Sequence, residues 1–352
     1  MPPLSGRVTL ATVATSAGVS VATVSKVLNG RSDVSESTRA RVQEVLRQHE
    51  YVGRRPEPVE RATVELFFQG VVNSYSIEVI QGVLEAGAAA DVDVVLSSRP
   101  PRSRAAADRA AAGGRATQWI RELTATGRRA AIGITSDLAA ADLAALSRAR
   151  LPLVVVDPIN IAQPEITSVG STNFAGGMAA TQHLLSLGHS RIAYLGGPPT
   201  SGCNQARMNG YRGAMEAAGL AVPKEYVWLR EFLYDDGLAG GAALLDLPEP
   251  PTAIFAGSDE VALGVMEAAR ARGLRVPEDL SVVGFDDTQV ARLASPQLTT
   301  IRQPMREMGT VALRTALQLA AGEKVDSHHV ELATRLIVRD STAAPARHPS
   351  LT

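Results

Sequence analysis

The chain has 352 residues, 45% of them hydrophobic, and a mean hydropathy of +0.03. These values are typical of a globular protein with a sizeable core, and the length allows two or three domains. No apolar run approaches the ~20 residues of a membrane span, and the first residues lack a secretion signal, so we expect a cytoplasmic protein without membrane contact. The single cysteine, Cys203, excludes an internal disulfide, which fits a reducing compartment.

Charge is unevenly distributed along the chain. The formal net charge of −1 argues against a nucleic-acid-binding protein, but residues 1–55 hold eight basic and four acidic side chains and thus a net charge of +4. A small basic segment on a mildly acidic body is typical of a protein of which only that segment meets phosphate. Because a solvated helix face would show similar charges, this asymmetry favours a nucleic-acid partner without requiring one.

Composition divides the chain into four parts. Residues 1–51 show short helical periods, residues 52–62 have the glycine, proline and charge content of a linker, residues 63–340 form a long body, and residues 341–352 form a tail. The body alternates short apolar runs with amphipathic stretches, which predicts an α/β fold of two lobes with parallel sheets covered by helices. The predicted strands are 63–68, 92–97, 130–134, 152–156, 166–169, 191–195, 252–256, 280–284 and 335–338, and the predicted helices are 76–90, 115–126, 138–148, 173–187, 205–218, 236–246, 259–272 and 304–321.

Residues 9–30 show the packing pattern of two helices that cross over a tight turn. Thr9 and Ser20 are candidate N-caps, and Gly18 permits the left-handed conformation that ends a helix. Small and apolar residues recur on one face of each helix, as a helix-turn-helix requires, and a third helix is predicted over residues 34–46. The predicted core of this head consists of Leu10, Val13, Ala14, Ala17, Val24, Val27, Leu28, Val42, Val45, Leu46 and Tyr51.

The second helix of this pair is the predicted reader of a DNA major groove. Val21 and Ala22 can touch thymine methyl groups, and Lys26 can reach a guanine edge or a phosphate. Neighbouring hydroxyl and amide side chains are natural partners for phosphate. The alternative is a three-helix cap without a nucleic-acid role, since the pattern also arises by chance. The predicted DNA-binding residues are Thr9, Ser20, Val21, Ala22, Thr23, Ser25, Lys26 and Asn29.

The sequence resembles the lac repressor / galactose repressor family over nearly its whole length and in the same order. In the head, the resemblance is carried by residues 9–30 and by residues 34–51. In the body, it is carried by SLGHSRIA (186–193), GGP (196–198), RMNGY (207–211), SDEVALG (258–264), VPEDLSVVGFDD (276–287) and LTTIRQP (298–304).

This resemblance implies a homodimeric repressor that binds pseudo-palindromic operator DNA. It also implies a core like a periplasmic binding protein, with a small effector, a sugar or oligosaccharide, in the cleft between two lobes. The linker departs from the family, whose members usually place there a helix with a leucine that enters the minor groove. Here Glu60 stands near the leucine position, and Pro56 and Pro58 interrupt the helix. Since phosphate repels an acidic residue, we do not expect leucine-type kinking of the DNA.

Polar residues that follow apolar runs mark a predicted ligand cleft. Asp157, Ser258 and Asp286 each follow such a run, and the carboxyl ends of parallel strands are where an α/β sheet binds ligands. The resemblance adds an arginine, an aromatic residue and a glutamine, and carboxylates with a guanidinium suit paired sugar hydroxyls. The predicted effector-binding residues are Tyr75, Asp157, Arg207, Phe232, Ser258, Asp286 and Gln303.

Each of these residues also has a structural alternative. Asp157 and Asp286 would cap following helices, Arg207 would lie on a helix surface, and Phe232 would belong to the core. The sequence shows no catalytic constellation, metal-ligand spacing or phosphate loop, so we expect no enzyme, no metal and no cofactor. The alternative function is a sugar-binding receptor module without DNA regulation; the basic head and the missing export signal argue against it.

Overall fold

The computed structural model describes residues 9–28, 31, 33–49, 51, 61–69, 72–99, 118–136, 138–159 and 166–346. They form two compact units, Met1–Arg61 and Ala62–Thr352, which are described separately as the head and the core. The division falls inside the predicted linker. Asn29 and the linker residues 52–60, with Pro56, Pro58 and Glu60, lie outside the described residues.

The head contains three helices, α1 (Leu10–Ala17), α2 (Val21–Leu28) and α3 (Glu36–Gln48). The Thr9 hydroxyl caps α1 by accepting a hydrogen bond from the amide of Thr12 at 3.3 Å. Gly18, with φ of +63°, ends α1, and the chain turns by 103° before α2. The buried core consists of Val13, Ala14, Ala17, Val24, Val27, Val42 and Val45, with Leu10, Val19, Val34, Leu46 and Tyr51 partly buried around it.

One predicted core residue of the head lies at the surface. The side chain of Leu28 is 42% exposed, whereas Val24 and Val27 are buried. Leu28 lies only about 40° around the helix from the buried Val24, but it is the last residue of α2, so its side chain lies at the end of the packed face. The prediction that Leu28 packs in the core is therefore wrong.

The core contains two six-stranded sheets, and each sheet defines one lobe. In lobe 1 the strand order is β11-β5-β4-β3-β1-β2, with every pair parallel. In lobe 2 the order is β12-β10-β9-β8-β6-β7, and only β12 is antiparallel to its neighbour. The strands are β1 (Thr63–Gln69), β2 (Asp93–Arg99), β3 (Arg128–Ile134), β4 (Leu153–Val156), β5 (Thr167–Ser171), β6 (Ile192–Gly196), β7 (Val227–Leu229), β8 (Ala253–Ala256), β9 (Ser281–Asp286), β10 (Thr299–Arg302), β11 (His329–Leu332) and β12 (Arg335–Ile337).

Helices cover both faces of each sheet, so the central strands are apolar throughout. In β8, for example, Ile254 packs into one core cluster and Phe255 into another on the opposite face. The helices of lobe 1 are α4 (Ser74–Ala89), α5 (described over 118–125), α6 (Ala140–Arg148) and α12 (Met305–Ala320); those of lobe 2 are α7 (Asn173–Ser186), α8 (Gly202–Ala217), α9 (Tyr234–Leu245), α10 (Asp259–Arg270) and α11 (Gln289–Leu293).

The chain crosses between the lobes three times. It passes from β5 to α7 at residues 172–173, from β10 to α12 at residues 303–304, and from β11 to β12 at residues 333–334. The third crossing joins β11, which was not predicted, to β12, which corresponds to the predicted strand 335–338. These three lobe-to-lobe connections, residues 172–173, 303–304 and 333–334, are called the crossovers of the core.

Three strands and one helix of the core were not predicted: β7, β10, β11 and α11. β7 and β11 are edge strands with partly exposed side chains, and such short strands have weak hydrophobic patterns. β10 begins with two threonines that are fully buried. Their hydroxyls find partners elsewhere in the chain, Thr300 on Asp259 at 2.6 Å and Thr299 on Thr342 at 3.2 Å.

The packed chain continues beyond residue 340, where the tail was predicted to begin. Ser341 is fully buried, donates to the carbonyl of Val282 at 2.6 Å and accepts from the amide of Thr299 at 2.8 Å. The amide of Ala343 donates to the Ser281 hydroxyl at 3.0 Å. Residues 341–343 therefore belong to the packing of lobe 2.

Among the described residues, no single helix is long and apolar enough to cross a membrane. The bent pair α1 and α2 reaches the required length and composition only when taken together.

Candidate functional site

The N-terminal half of α2 presents a small apolar and polar surface on the head. Ser20 caps the helix, since its hydroxyl accepts from the amide of Thr23 at 3.1 Å. Val21 is 45% exposed, and Ala22 and Lys26 are also exposed. Val21, Ala22 and Lys26 therefore lie at the surface, on the side of α2 away from the buried Val24 and Val27.

The charged residue of this surface has an acidic neighbour. The Lys26 ammonium donates to a carboxylate oxygen of Asp33 at 2.7 Å, and both side chains are about half exposed. Lys26 and the Asp33 carboxylate hydrogen-bond, and this lowers the pKa of Asp33. An exposed pair of this kind contributes little stability, so Lys26 can exchange Asp33 for a stronger anionic partner at small cost.

The predicted DNA-binding residues thus lie where the sequence placed them on the head, as far as they are described. Thr9 and Ser20 cap α1 and α2, Thr23 bonds to the Ser20 hydroxyl at 2.9 Å, and Ser25 is half buried between Val24 and Lys26. The exposed set is Val21, Ala22 and Lys26.

In the core, polar side chains from both lobes meet at the carboxyl ends of the strands. Asp157 follows β4 with φ of +46° and accepts a hydrogen bond from the phenol of Tyr75, in the first turn of α4, at 2.6 Å. Burial and the Asp157 charge raise the pKa of Tyr75 well above its usual value. The Tyr75 hydroxyl therefore keeps its proton at physiological pH and donates a hydrogen bond to Asp157.

Arg207 lies on α8 and is 3% exposed. Its Nε donates to the side-chain oxygen of Asn173 at 2.8 Å, and one terminal nitrogen donates to the carbonyl of Gly257 at 2.6 Å. The guanidinium lies 3.8 Å from the Phe285 ring centroid and 5.5 Å from that of Phe232. Hydrogen bonds fix the Arg207 guanidinium in its plane, and aromatic rings hold it from outside that plane. The guanidinium is therefore preorganised to bind two neighbouring oxygen atoms.

α8 can hold Arg207 in this position because it packs unusually close to α7. A Cβ atom added at Gly177 of α7 would lie 2.2 Å from the carbonyl oxygen of Arg207. Only glycine permits this approach, and the approach brings Arg207 within reach of Asn173 at the start of α7.

Asp286 lies at the end of β9, with φ of +119°. One of its carboxylate oxygens accepts from the Gln303 amide at 2.6 Å and lies 3.8 Å from a terminal nitrogen of Arg207. Burial raises the pKa of Asp286 well above its usual range, opposed by the Arg207 charge. Burial likewise raises the pKa of Asp157, where the Tyr75 hydrogen bond opposes it.

The contacts argue against helix capping by Asp157 and Asp286 and against a surface position for Arg207, whereas the core alternative for Phe232 stands. The N-cap positions of α7 and α11 are Thr172 and Thr288, so neither Asp157 nor Asp286 caps the next described helix. Arg207 is buried. Phe232 is partly buried against the core cluster of lobe 2 while facing Arg207.

Ser258, Asp259 and Glu260 are consecutive residues whose side chains accept hydrogen bonds from three different parts of the core. Ser258 is buried and caps α10 through its hydroxyl, which accepts from the amide of Val261 at 3.2 Å. Asp259 accepts from Thr288 and Thr300, and burial raises its pKa to about 7. Glu260 reaches the other lobe, where one carboxylate oxygen accepts from the amide and the hydroxyl of Ser74 at 3.0 and 2.8 Å.

Three residues of this region were missed by sequence reasoning. Asn173 and Ser171 bond to predicted site residues, and the thiol of Cys203 is close enough to Arg207, Asp157 and Asp286 for their charges to shift its pKa. Burial raises that pKa. Ser171 is the last residue of β5 and Asn173 follows two residues later, so the rule that ligands bind at the carboxyl ends of strands could have found them.

A basic-rich helix-turn-helix head and a two-lobed core with a buried polar cleft define the class of ligand-responsive DNA-binding regulators. The family model for bacterial regulatory proteins of the lacI family matches residues 9–53, and that for a periplasmic binding protein-like domain matches residues 181–342. Catabolite control protein A of Priestia megaterium is 32% identical over 344 residues, covering 96% of this chain and 99% of that protein. The chain belongs to the lacI family.

The chain is similar over nearly its whole length to several solved structures, of which two bear on its function. A transcriptional regulator CelR–cellobiose complex has a TM-score of 0.70 at 32% identity, covering 95% of this chain and all of that one. The lac repressor dimer bound to operator and the anti-inducer ONPF has a TM-score of 0.73 at 27% identity, covering 96% of this chain and all of the other. The chain is therefore a DNA-binding transcriptional regulator and not an enzyme.

Proposed function

We propose that this chain is a cytoplasmic repressor of carbohydrate-utilisation genes. As a homodimer it binds a pseudo-palindromic operator through Val21, Ala22 and Lys26, with hydroxyls such as those of Thr9 and Ser20 on phosphates. A sugar or oligosaccharide between the lobes weakens this binding. The bound dimer of the lac repressor structure and the bound cellobiose of the CelR structure support the two halves of the proposal.

The observation that carries the proposal is that two buried pairs of side chains in the cleft each combine a hydrogen-bond donor with a carboxylate acceptor. Arg207 with Asp286 on one side and Tyr75 with Asp157 on the other offer a guanidinium, two carboxylates and a phenol. Adjacent sugar hydroxyls, which both donate and accept, match such a mixed set. Phe232, beside Arg207, is available for the C–H face of a ring.

A panel of sugars in a thermal-shift assay tests the proposal. The panel consists of glucose, cellobiose, xylose and xylobiose, which pairs the cellobiose of the CelR structure with its monosaccharide and with a second, pentose-based pair. A ligand at 100 times its Kd stabilises the native state by about 2.7 kcal/mol, and we expect at least one sugar to raise the unfolding midpoint. The same sugar should weaken binding to a duplex that the protein selects from random DNA. Unchanged midpoints and unchanged DNA binding with all four sugars would contradict the proposal.

The reactivity of Cys203 provides an independent test of whether the sugar binds in the cleft. It is the single cysteine and lies on α8 one helical turn before Arg207. A sugar in the cleft should slow its alkylation by a maleimide, whereas a sugar bound elsewhere would leave the rate unchanged.

A further inference from the structure

A closed ring of four hydrogen bonds and one ion pair joins the predicted effector residues to the crossovers of the core. The Ser171 hydroxyl donates to the side-chain oxygen of Gln303 at 2.5 Å, and the Gln303 amide donates to Asp286 at 2.6 Å. Asp286 faces Arg207 at 3.8 Å, and Arg207 donates to Asn173 at 2.8 Å. The Asn173 amide donates to the carbonyl of Ser171 at 3.1 Å and closes the ring.

The members of this ring come from distant parts of the chain and from both lobes. Ser171 ends β5 of lobe 1, and Asn173 begins α7 of lobe 2, directly across the first crossover. Gln303 lies in the second crossover, between β10 and α12. All five ring residues are at most 7% exposed, so water does not replace a broken bond at low cost.

Hydrogen bonds also join the third crossover to Thr172 in the first crossover. The amide of Thr334 donates to the hydroxyl of Thr172 at 2.9 Å, and the amide of Thr172 donates to the carbonyl of Leu332 at 2.9 Å. Thr172 lies between the two ring residues Ser171 and Asn173. All three crossovers therefore meet at residues 171–173.

We propose that Ser171 and Asn173 are positioning residues that couple ligand contact in the cleft to the relative orientation of the two lobes. This inference rests on the proposed function, because Arg207, Asp286 and Gln303 are the ring members that would meet the sugar. A ligand that draws Arg207 or Asp286 toward itself changes their bonds to Asn173 and Gln303. Both partners lie on crossovers, where small backbone rotations move one lobe against the other.

The two positioning residues have different tasks in this scheme. Asn173 holds the Nε of Arg207 and so sets the direction of the guanidinium. Ser171 has no contact with Arg207 or Asp286 in the ring and acts only through Gln303 and Asn173. Removal of the Ser171 hydroxyl should therefore spare ligand affinity and weaken the coupling.

Hydrogen exchange of the full-length protein without ligand tests the ring directly. We expect Ser171→Ala to speed exchange at least about 5-fold not only at Thr172 but also at Gln303 and Thr334, whose amides lie in the other two crossovers. Ser281→Ala is the matched control, since Ser281 is equally buried, bonds to Ala343 and lies away from the crossovers. Unchanged exchange at Gln303 and Thr334 in Ser171→Ala would overturn the proposal.

The coupling itself is measured with the sugar that gives the largest thermal shift among glucose, cellobiose, xylose and xylobiose. In Ser171→Ala, we expect its Kd to stay within about 3-fold of the parent value, while the ratio of DNA affinities without and with sugar falls at least about 5-fold. In Asn173→Ala, the sugar Kd should rise about 10-fold or more. A parental ratio in Ser171→Ala would refute the coupling role. If no sugar binds, the proposed function fails, and the exchange experiment still decides whether the ring joins the crossovers.

Discussion

The polar side chains of the head and those of the cleft find their partners in different ways. On the head, Ser20 bonds to Thr23 three residues away and Lys26 to Asp33 seven residues away, all at the surface. In the cleft, Tyr75 bonds to Asp157 across 82 residues and Ser171 to Gln303 across 132, and these pairs are buried.

This difference indicates how each surface tolerates change. The exposed face of α2 that is proposed to read DNA depends only on the cap Ser20 and the buried Val24 and Val27. A single exposed side chain there can therefore be replaced without loss of the fold. In the cleft, a side chain that would contact the proposed ligand also satisfies another buried group. We therefore expect cleft substitutions to affect ligand binding and stability together, and head substitutions to affect DNA binding alone.

The largest expected effect is that of Arg207→Ala. It removes two hydrogen bonds and leaves Asp286 buried with one partner fewer, and charged hydrogen bonds contribute about 1.5–3 kcal/mol each. We expect calorimetry to show sugar affinity reduced by about 100-fold or more, with DNA binding retained. Arg272→Ala, which removes a surface pair with Asp246, is the control and should bind sugar like the parent. A parental sugar response in Arg207→Ala would remove this residue from the site.

The next effect is that of Lys26→Ala on the head. Loss of a base or phosphate contact costs about 1–3 kcal/mol, so we expect about 10-fold weaker binding to the selected duplex and an unchanged unfolding midpoint. Asp33→Asn is the matched control, because it frees Lys26 from its exposed partner and should leave binding equal or tighter. Equal affinity of Lys26→Ala and parent would exclude Lys26 from the reading surface.

Tyr75→Phe should have a moderate effect on both properties of the core. It leaves a buried oxygen of Asp157 without its phenol donor, at a cost of about 1–2 kcal/mol in unfolding free energy, and we expect about 5-fold weaker sugar binding. Tyr211→Phe removes a buried hydrogen bond to the carbonyl of Ile192 away from the cleft. If both variants lose stability and only Tyr75→Phe loses affinity, the contrast between cleft and core packing holds. Equal sugar affinity in the two variants would contradict it.

The smallest effect concerns pH and His189, which is buried and bonds to Ser281 and Thr252. Burial lowers its pKa from 6.5, so the native state binds fewer protons than the unfolded state as the pH falls through that value. Its contribution to stability is present above about pH 6.5 and is lost as the pH falls toward the folded-state pKa. We expect the difference in unfolding free energy between the parent and His189→Gln to shrink from about pH 7 to pH 5. A constant difference would show that His189 does not titrate on unfolding in this range.

Much of the fold and part of the site follow from local sequence. The caps Thr9 and Ser20, the turn at Gly18 and the exposed Val21 and Lys26 depend on neighbours within a few residues, so pattern reasoning located them. The central strands of both sheets were predicted because buried parallel strands are continuous apolar runs. Leu28 was misplaced because helical periodicity defines a face but not where the neighbouring helices end.

The tertiary structure alone decided the partners in the cleft. Asp157, Arg207 and Asp286 could be proposed from strand ends and from family resemblance, but nothing in the sequence pairs Tyr75 with Asp157 or Ser171 with Gln303. Strand ends that are far apart in the chain become neighbours only when the sheets assemble in their particular order. For the same reason, the edge strands β7 and β11 and the packing of Ser341 into lobe 2 were not predicted, since long-range hydrogen bonds rather than local periodicity hold them in place.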